Sequence, residues 1–545
     1  PYPALFFAQD SSAGSTLFRW DGRDSSQVRP GAEDPGTDIS RLCTETLYGQ
    51  GYFSERPRVL VIGLGGGPDV QCALYHRARE VSVAEINPDA VRAVQGRFSA
   101  WLGGIGTDPR VTVHLQDGRS FLETALRRGA APWDLIQLSG VDTKASLASG
   151  ALSMSENHLY TVEALETALR LLAPDGAVSV IRFTEAEALR LSVTAFEALR
   201  RLGAAEPHRH VAVFHTGLVV GVVVRRSPFT APDAQRLDAQ LRPPWHRGVH
   251  VFYYSDNGAP FETMAAVDHL PHVSRQGRVG SLFDAAEAGE LAAFVARQPE
   301  AITAASDDRP FFFDTLRHDR AESWAEPWVV ALRDVLLGVV ALSAALVLWP
   351  LRRLAASPGR RLSAATFVGL GAGYLLVEVW LFQQLTRFLG HPVYSLSVVL
   401  ATLLVSTGLG ALATLGSGQP AAPRRAAWAL IFALGWLVAC ALLLPALLGL
   451  AWASSFPVRV ALAVACLAPL GAALGVPFVT VLATIRARDA AAVPWFVGLN
   501  GFASVVASVA VVPLSMLFGY RVVLGTGIAA YAVALAGCWS LGRPR

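Results

Sequence analysis

After Trp328 the chain carries about seven apolar runs, each close to the ~20 residues a helix needs to cross a bilayer. They are Trp328–Trp349, Ala364–Phe382, Val393–Leu415, Ala426–Leu448, Val458–Ile485, Val493–Phe518 and Val522–Leu541. Buried helices of a soluble domain would not produce so many long runs with arginines almost only between them, so this half is expected to be an all-α, multi-pass transmembrane domain. Its charges suit that reading. From Trp328 onward there are 14 arginines, no lysine and three acidic residues (Asp334, Glu378, Asp489), whereas the preceding part holds 32 basic and 40 acidic residues. The net charge of +3 therefore hides an acidic half and a basic half. A basic surface for nucleic acid is not indicated, because the positive surplus lies among apolar runs.

The arginines also predict orientation. Arg352, Arg353, Arg360, Arg361, Arg424, Arg425, Arg486, Arg488, Arg543 and Arg545 follow the odd-numbered runs, and only Arg387, Arg459 and Arg521 follow the even-numbered ones. The positive-inside rule puts the first set in the cytoplasm and, with seven spans, the preceding domain on the other side. The five cysteines form no CxxC, and a disulfide framework is not expected. The chain opens on Pro1 without a signal-peptide apolar region and reads as processed or as a fragment.

Four zones are expected: an N-terminal β segment (1–56), a nucleoside-binding domain (57–226), a juxtamembrane extension (227–327) and the transmembrane domain (328–545). The second zone alternates buried strands and amphipathic helices. Strands are expected at Val59–Ile62, Val81–Glu85, Val111–Leu115, Leu135–Leu138 and Ala177–Phe183, with a terminal hairpin near Ala212–Val224. Repeated βα units imply an α/β Rossmann-like parallel sheet whose ligands bind at the carboxyl ends of the strands.

The most specific motif is Arg58-Val-Leu-Val-Ile-Gly63-Leu-Gly65-Gly66-Gly67-Pro68-Asp69, followed by Glu85 18 residues beyond Gly67. A strand entering a glycine turn and then a helix lets backbone N–H groups approach a ligand, and an acid ending the next strand can accept from ribose hydroxyls. Pro68 stands where a dinucleotide site wants glycine, which demotes NAD. Asp117-Gly118 ends the third strand, where Asp117 can accept an exocyclic amine. The cofactor-binding candidates are Gly63, Gly65, Gly67, Asp69, Glu85, Asp117 and Gly118.

With the glycine turn, Ala84-Glu85-Ile86 and Asp117-Gly118 in place, the segment from Arg58 to Phe183 resembles the spermidine synthase (polyamine aminopropyltransferase) branch of the S-adenosylmethionine-methyltransferase fold. The whole arrangement is similar to bacterial membrane-bound spermidine synthase-like proteins, through Gln137–Thr143, Leu152–Thr161, Asp307–Phe313, Gly371–Glu378, Leu389–Pro392 and Gly498–Gly501. The resemblance implies S-adenosylmethionine or its decarboxylated form as co-substrate, no metal, and a small-molecule amine as acceptor. It also implies a bacterial inner-membrane location, and it leaves a homodimer open. In that family an Asp after the fourth strand deprotonates the attacking amine, which displaces methylthioadenosine from the sulfonium. Here Ser139 stands at that place and Asp142 at the second acid of the pattern. A serine needs a partner to act as a base near pH 7.

Three readings follow. Asp142 takes the base role with Glu156 or Tyr160 orienting the acceptor; a methyl or related group goes to a membrane-associated acceptor; or the domain binds the nucleoside without turnover, as a sensor or transporter. The catalytic candidates are Asp142, Ser139, Glu156 and Tyr160. Lys144, the chain's lone lysine, reads as incidental, and the histidine pairs His208/His210, His246/His250 and His269/His272 lack an HExxH context for metal. Within the spans Glu378 is a candidate intramembrane polar site, with Gln384, Arg387 and His391 at helical spacing after it and Asn500 as an interhelical donor. One tension remains: the charge count puts the domain outside, whereas the expected co-substrate is made inside.

Overall fold

A computed structural model of the chain describes residues 4–9, 13–27, 39–140, 156–216, 219–230, 232–233, 263–267, 277–320, 325–345, 358–416 and 422–541. It divides into two units, Pro1–Arg317 and His318–Arg545.

The first unit is built on an eight-stranded, mostly parallel sheet. Its strands are β3 (Arg58–Ile62), β4 (Glu80–Glu85), β5 (Val111–Leu115), β6 (Trp133–Ser139), β7 (Leu172–Arg182), β8 (Val211–Thr216), β9 (Val220–Arg225) and β10 (Thr263–Val267), following a separate hairpin of β1 (Ala4–Gln9) and β2 (Ala13–Phe18). The order across the sheet is β10-β8-β9-β7-β6-β3-β4-β5, with β5, β4, β3, β6 and β7 parallel and β9, β8 and β10 antiparallel. Chain direction across the sheet therefore reverses between β3 and β6, and the crevice at that switch point is where α/β sheets of this type receive ligands. The expected Rossmann-like α/β class is the observed one.

Side chains alternate along β3 as strand geometry requires. Leu60 and Ile62 enter one core, lined by α4 (Gly118–Arg127), α5 (Val162–Arg170) and α6 (Glu185–Arg201). Val59 and Val61 enter the other, with residues of α1 (Ser40–Glu45) and α2 (Pro68–Tyr75). A strand buried on both faces reads as the continuous apolar run that Val59–Ile62 is. The first core extends into α7 (Gly277–Glu287) and α8 (Leu291–Arg297) and takes in Phe312 and Phe313. After β4 the chain forms a short α3 (Pro88–Arg92) and one π turn over Ala93–Arg97.

One expectation is overturned. Cys43 on α1 and Cys72 on α2 form a disulfide, both residues being fully buried. The two stand 29 residues apart with no motif between them, and only the packing of α1 on α2 brings them together.

The second unit is all-helical. Its helices are α9 (Pro327–Ser343), α10 (Pro358–Leu389), α11 (Pro392–Gly416), α12 (Pro423–Ala451), α13 (Phe456–Arg488), α14 (Val493–Phe518) and α15 (Tyr520–Leu541). The last six are long and apolar enough to cross a membrane. The remaining run, Trp328–Trp349, overlaps the 17-residue α9, and its end falls outside the described residues. Close packing uses small residues: a Cβ on Gly371 would lie 2.3 Å from the Asn500 carbonyl oxygen, and Asn500 donates to the Phe367 carbonyl at 3.0 Å, joining α14 to α10.

Candidate active site

The carboxyl ends of β3, β4, β5, β6 and β7 lie along one edge of the sheet, and the motif residues sit on them. After β3 the backbone turns through Gly63, Gly65 and Gly67, all at positive φ (86°, 48° and 89°), a region that side-chain-bearing residues rarely enter. A Cβ on neighbouring Gly66 would lie 2.2 Å from the carbonyl oxygen of Thr16 on β2. The glycines thus serve the packing of the N-terminal hairpin as well as any ligand.

Glu85 ends β4 and is almost wholly buried. Its Oε2 accepts from the N–H of Leu64 at 2.7 Å and of Gly65 at 3.4 Å, and its Oε1 accepts from Asn87 N–H at 2.7 Å. Three of about four carboxylate acceptor sites are occupied by backbone. Glu85 therefore shapes the glycine turn, with capacity for one further donor.

Asp117 caps α4, its Oδ1 accepting from Ser120 N–H at 2.9 Å. Burial pushes its carboxyl up, while the caps from Ser120 and the nearby His158 and Arg119 pull it down. Gly118 has a steric reason of its own, since a Cβ there would lie 2.4 Å from Ile62.

Ser139 ends β6, and its hydroxyl donates to Asp69 Oδ1 at 2.7 Å. Asp69 lies in the first turn of α2 and is 2% exposed. Burial pushes its carboxyl up to about 7, against the downward pull of the Ser139 hydrogen bond. Tyr52 belongs to the same buried cluster: its hydroxyl donates to Gln137 Oε1 at 3.2 Å, and burial, with the neighbouring Asp69, raises its phenol well above the usual range. The Tyr52 ring stacks on His76 at 4.1 Å, and the His76 Nε2 lies 2.8 Å from the Cys43 carbonyl oxygen. Sequence reasoning sorted Asp69 with the cofactor residues and Ser139 with the catalytic ones. The pairing was invisible because it joins a helix start and a strand end 70 residues apart.

At the end of β7 stands Arg182, fully buried. Its Nε donates to Glu187 Oε2 at 2.8 Å and its Nη1 to the Tyr160 hydroxyl at 3.0 Å, while the guanidinium lies 4.8 Å from the Phe313 ring centre. Tyr160 is wholly buried, and its hydroxyl accepts from Arg182. Glu156 is half-buried at the start of the same segment. Asp142 and Lys144 lie outside the described residues, as do His246, His250, His269 and His272.

The run Asp307–Phe313 holds this segment in place. Asp307 accepts from Arg119 at 3.2 Å and from the Thr161 hydroxyl at 2.8 Å, its Oδ1 lies 3.5 Å from His158 Nδ1, and its N–H donates to Glu163. Asn157 N–H donates to the Pro310 carbonyl at 2.7 Å. An extension residue, Asp307, thereby links α4, which Asp117 caps, to α5, which Thr161 caps.

In the second unit the expected polar face is only partly assembled. Arg387 donates to Gln384 on α10, but His391 follows the helix end and Gly390, which has φ 80°, and there accepts from Val393 N–H at 3.2 Å. A residue beyond the helix terminus cannot continue the face of Glu378. The neighbours of Glu378 are instead Tyr374 and Tyr531.

No protein-family model matches the chain. A polyamine aminopropyltransferase 1 of Hyperthermus butylicus is 28% identical over 205 residues, 36% of this chain and 65% of that protein. A polyamine aminopropyltransferase of Prochlorococcus marinus is 32% identical over 75 residues, 13% of this chain and 26% of that protein. The chain thus spans less than two thirds of the length of either relative. Among solved structures, a spermidine synthase from Thermotoga maritima matches at 18% identity with a TM-score of 0.25, covering 36% of this chain and 62% of that one. The fold is a Rossmann-like α/β domain followed by an all-helical unit with six apolar helices among the described residues.

Proposed function

We propose that this chain is a membrane-anchored transferase that binds S-adenosylmethionine or its decarboxylated form and passes an aminopropyl-type group to an amine, with Asp69 as the base acting through Ser139. The observation that carries this reading is the 2.7 Å hydrogen bond between Ser139 and a buried carboxyl whose pKa lies at about 7. A base held near neutrality is matched to accepting a proton at physiological pH. The amine nitrogen attacks the carbon next to the sulfonium, the carbon–sulfur electrons pass to sulfur, and neutral methylthioadenosine leaves. The nitrogen's proton goes to the Ser139 oxygen as the Ser139 proton moves to Asp69. Glu85 and Asp117 are assigned the ribose and adenine, the glycine turn the close backbone approach, and Arg182 with Tyr160 and Glu156 the acceptor side. The two aminopropyltransferase relatives support the group transferred.

The test is methylthioadenosine release from decarboxylated S-adenosylmethionine with 1,4-diaminobutane, using the full chain in lipid and the variants Asp69→Asn and Asp142→Asn. Release that falls a hundredfold or more in Asp69→Asn supports the assignment. Release lost only in Asp142→Asn moves the base to that residue, and S-adenosylhomocysteine as the product replaces aminopropyl by methyl transfer. Folded protein that binds the nucleoside and releases nothing refutes the transferase.

We also propose, counting Trp328–Trp349 as a seventh span beside the six apolar helices, that the first unit lies on the non-cytoplasmic side of a multi-pass membrane protein. Two unrelated features support this: the arginines gathered on alternate loops, and the Cys43–Cys72 disulfide, a bond typical of oxidising compartments. Cleavage of the first unit by external protease in sealed right-side-out vesicles is the expected result, and protection would reverse the assignment.

A further inference from the structure

Glu378 is the one acidic side chain inside the six apolar helices, near the middle of the span Leu362–Leu389. Tyr374 stands four residues before it, on the same face of α10. Across from them α15 packs tightly, with Gly527 against Val377 and the ring of Tyr531 lying where a Cβ on Gly373 would be 3.1 Å away. Tyr531 is 1% exposed and is near both Tyr374 and Glu378, while Thr407 of α11 is near Tyr374. Four oxygens of this group, Glu378 Oε1 and the hydroxyls of Tyr374, Thr407 and Tyr531, are buried; Glu378 Oε1 and the Tyr531 hydroxyl have no hydrogen-bond partner, and Tyr374 and Thr407 have only each other.

Such an arrangement is costly if nothing completes it. A buried polar atom left unpaired destabilises, and an acidic group among apolar helices marks a pathway or a ligand. The donor set narrows the ligand. All four atoms accept hydrogen bonds, one belongs to a carboxylate, and two are carried by aromatic rings. A divalent metal ion wants several carboxylate or carbonyl oxygens, and a single acid supplies too few. A primary ammonium group brings one positive charge and three N–H donors with no acceptor, and it is attracted to tyrosine faces.

We propose that Glu378, Tyr374, Tyr531 and Thr407 form an intramembrane binding site for a primary ammonium group. The site does not depend on the transferase reading, since it uses none of the residues of the first unit.

The probe is n-butylammonium, titrated calorimetrically into the full chain in lipid nanodiscs, with tetramethylammonium and sodium chloride as comparison ligands. Saturable n-butylammonium binding is expected, weakened at least tenfold in Glu378→Gln and several-fold in Tyr531→Phe, with no comparable binding of tetramethylammonium, which has no N–H to donate. Asp69→Asn is expected to leave this binding unchanged. Absence of saturable binding overturns the proposal, as does equal binding of sodium or tetramethylammonium. Binding that survives both Tyr531→Phe and Glu378→Gln but disappears in Asp69→Asn belongs to the first unit and also overturns it. Should Glu378→Gln not fold, the wild-type ligand comparison and Tyr531→Phe decide.

Discussion

Ser139, at the end of β6, donates a hydrogen bond from its hydroxyl to Asp69, in the first turn of the helix that follows the glycine turn, across 2.7 Å. The contact brings a carboxylate to the end of β6, where Ser139 stands. That carboxylate comes from the helix after the neighbouring strand β3 and not from β6 itself.

This pairing separates activity from stability. Burial raises Asp69 from the usual carboxylate range to about 7, so the folded protein holds a proton there that the unfolded chain releases near pH 4. Between those values the native state binds more protons, and this group's contribution to stability falls as pH rises. Asp69→Asn is expected to raise stability at pH 8 by on the order of 1–3 kcal/mol while abolishing turnover. Turnover of the wild type should rise with pH through about 7. Denaturant midpoints at pH 5 and pH 8, beside a pH–rate profile, check both directions.

Glu85 holds the turn and has capacity for one more donor, so its loss acts on binding twice. Glu85→Ala is expected to weaken S-adenosylmethionine-type ligands by roughly a hundredfold, and Glu85→Gln by roughly tenfold. Calorimetric titration gives the numbers, and affinities unchanged in both variants would remove Glu85 from the site.

Asp307 and Arg119 form a pair with side chains 14% and 7% exposed, and Arg119 keeps a second acidic partner in Glu123. Replacing Asp307 by Ala leaves a buried guanidinium half-compensated and is expected to cost about 3 kcal/mol. Loss of the Thr161 and His158 contacts should also loosen the start of α5. Hydrogen exchange at residues 157–165 would then rise above that of the sheet.

The cysteine pairing predicts a count. Denatured, unreduced protein should take up three maleimide groups, at Cys440, Cys466 and Cys538, and reduced protein five. Five groups without reductant would contradict the disulfide.

Much of the fold was legible because local pattern and tertiary outcome coincide along β3, where Val59–Ile62 is apolar on both faces and leads straight into glycines that need positive φ. The long apolar runs were legible for the same reason, since length and hydropathy are properties of contiguous sequence. What escaped reading were contacts between distant residues. Nothing in the spacing of Cys43 and Cys72, of Asp69 and Ser139, or of Asp307 and Arg119 announces a partner, because each pair is made by packing across the sheet or its helices. Arg182 escaped because an arginine in an apolar strand reads as a strand end, not as the buried hub of Tyr160, Glu187 and Phe313. His391 was misjudged by assuming the helix continued past Gly390.

The Cys43–Cys72 bond turns residues 43–72 into a covalent ring, and β3, the glycine turn and Asp69 all lie on it. Closing a loop of this length restricts the unfolded chain by about 3–4 kcal/mol on the chain-entropy account. The ligand-facing turn therefore cannot drift far from α1 even when the sheet edge frays. Pre-ordering of that kind lowers what a ligand must spend to organise its own site. Reduction would leave every residue of the site in place and still be felt as weaker binding.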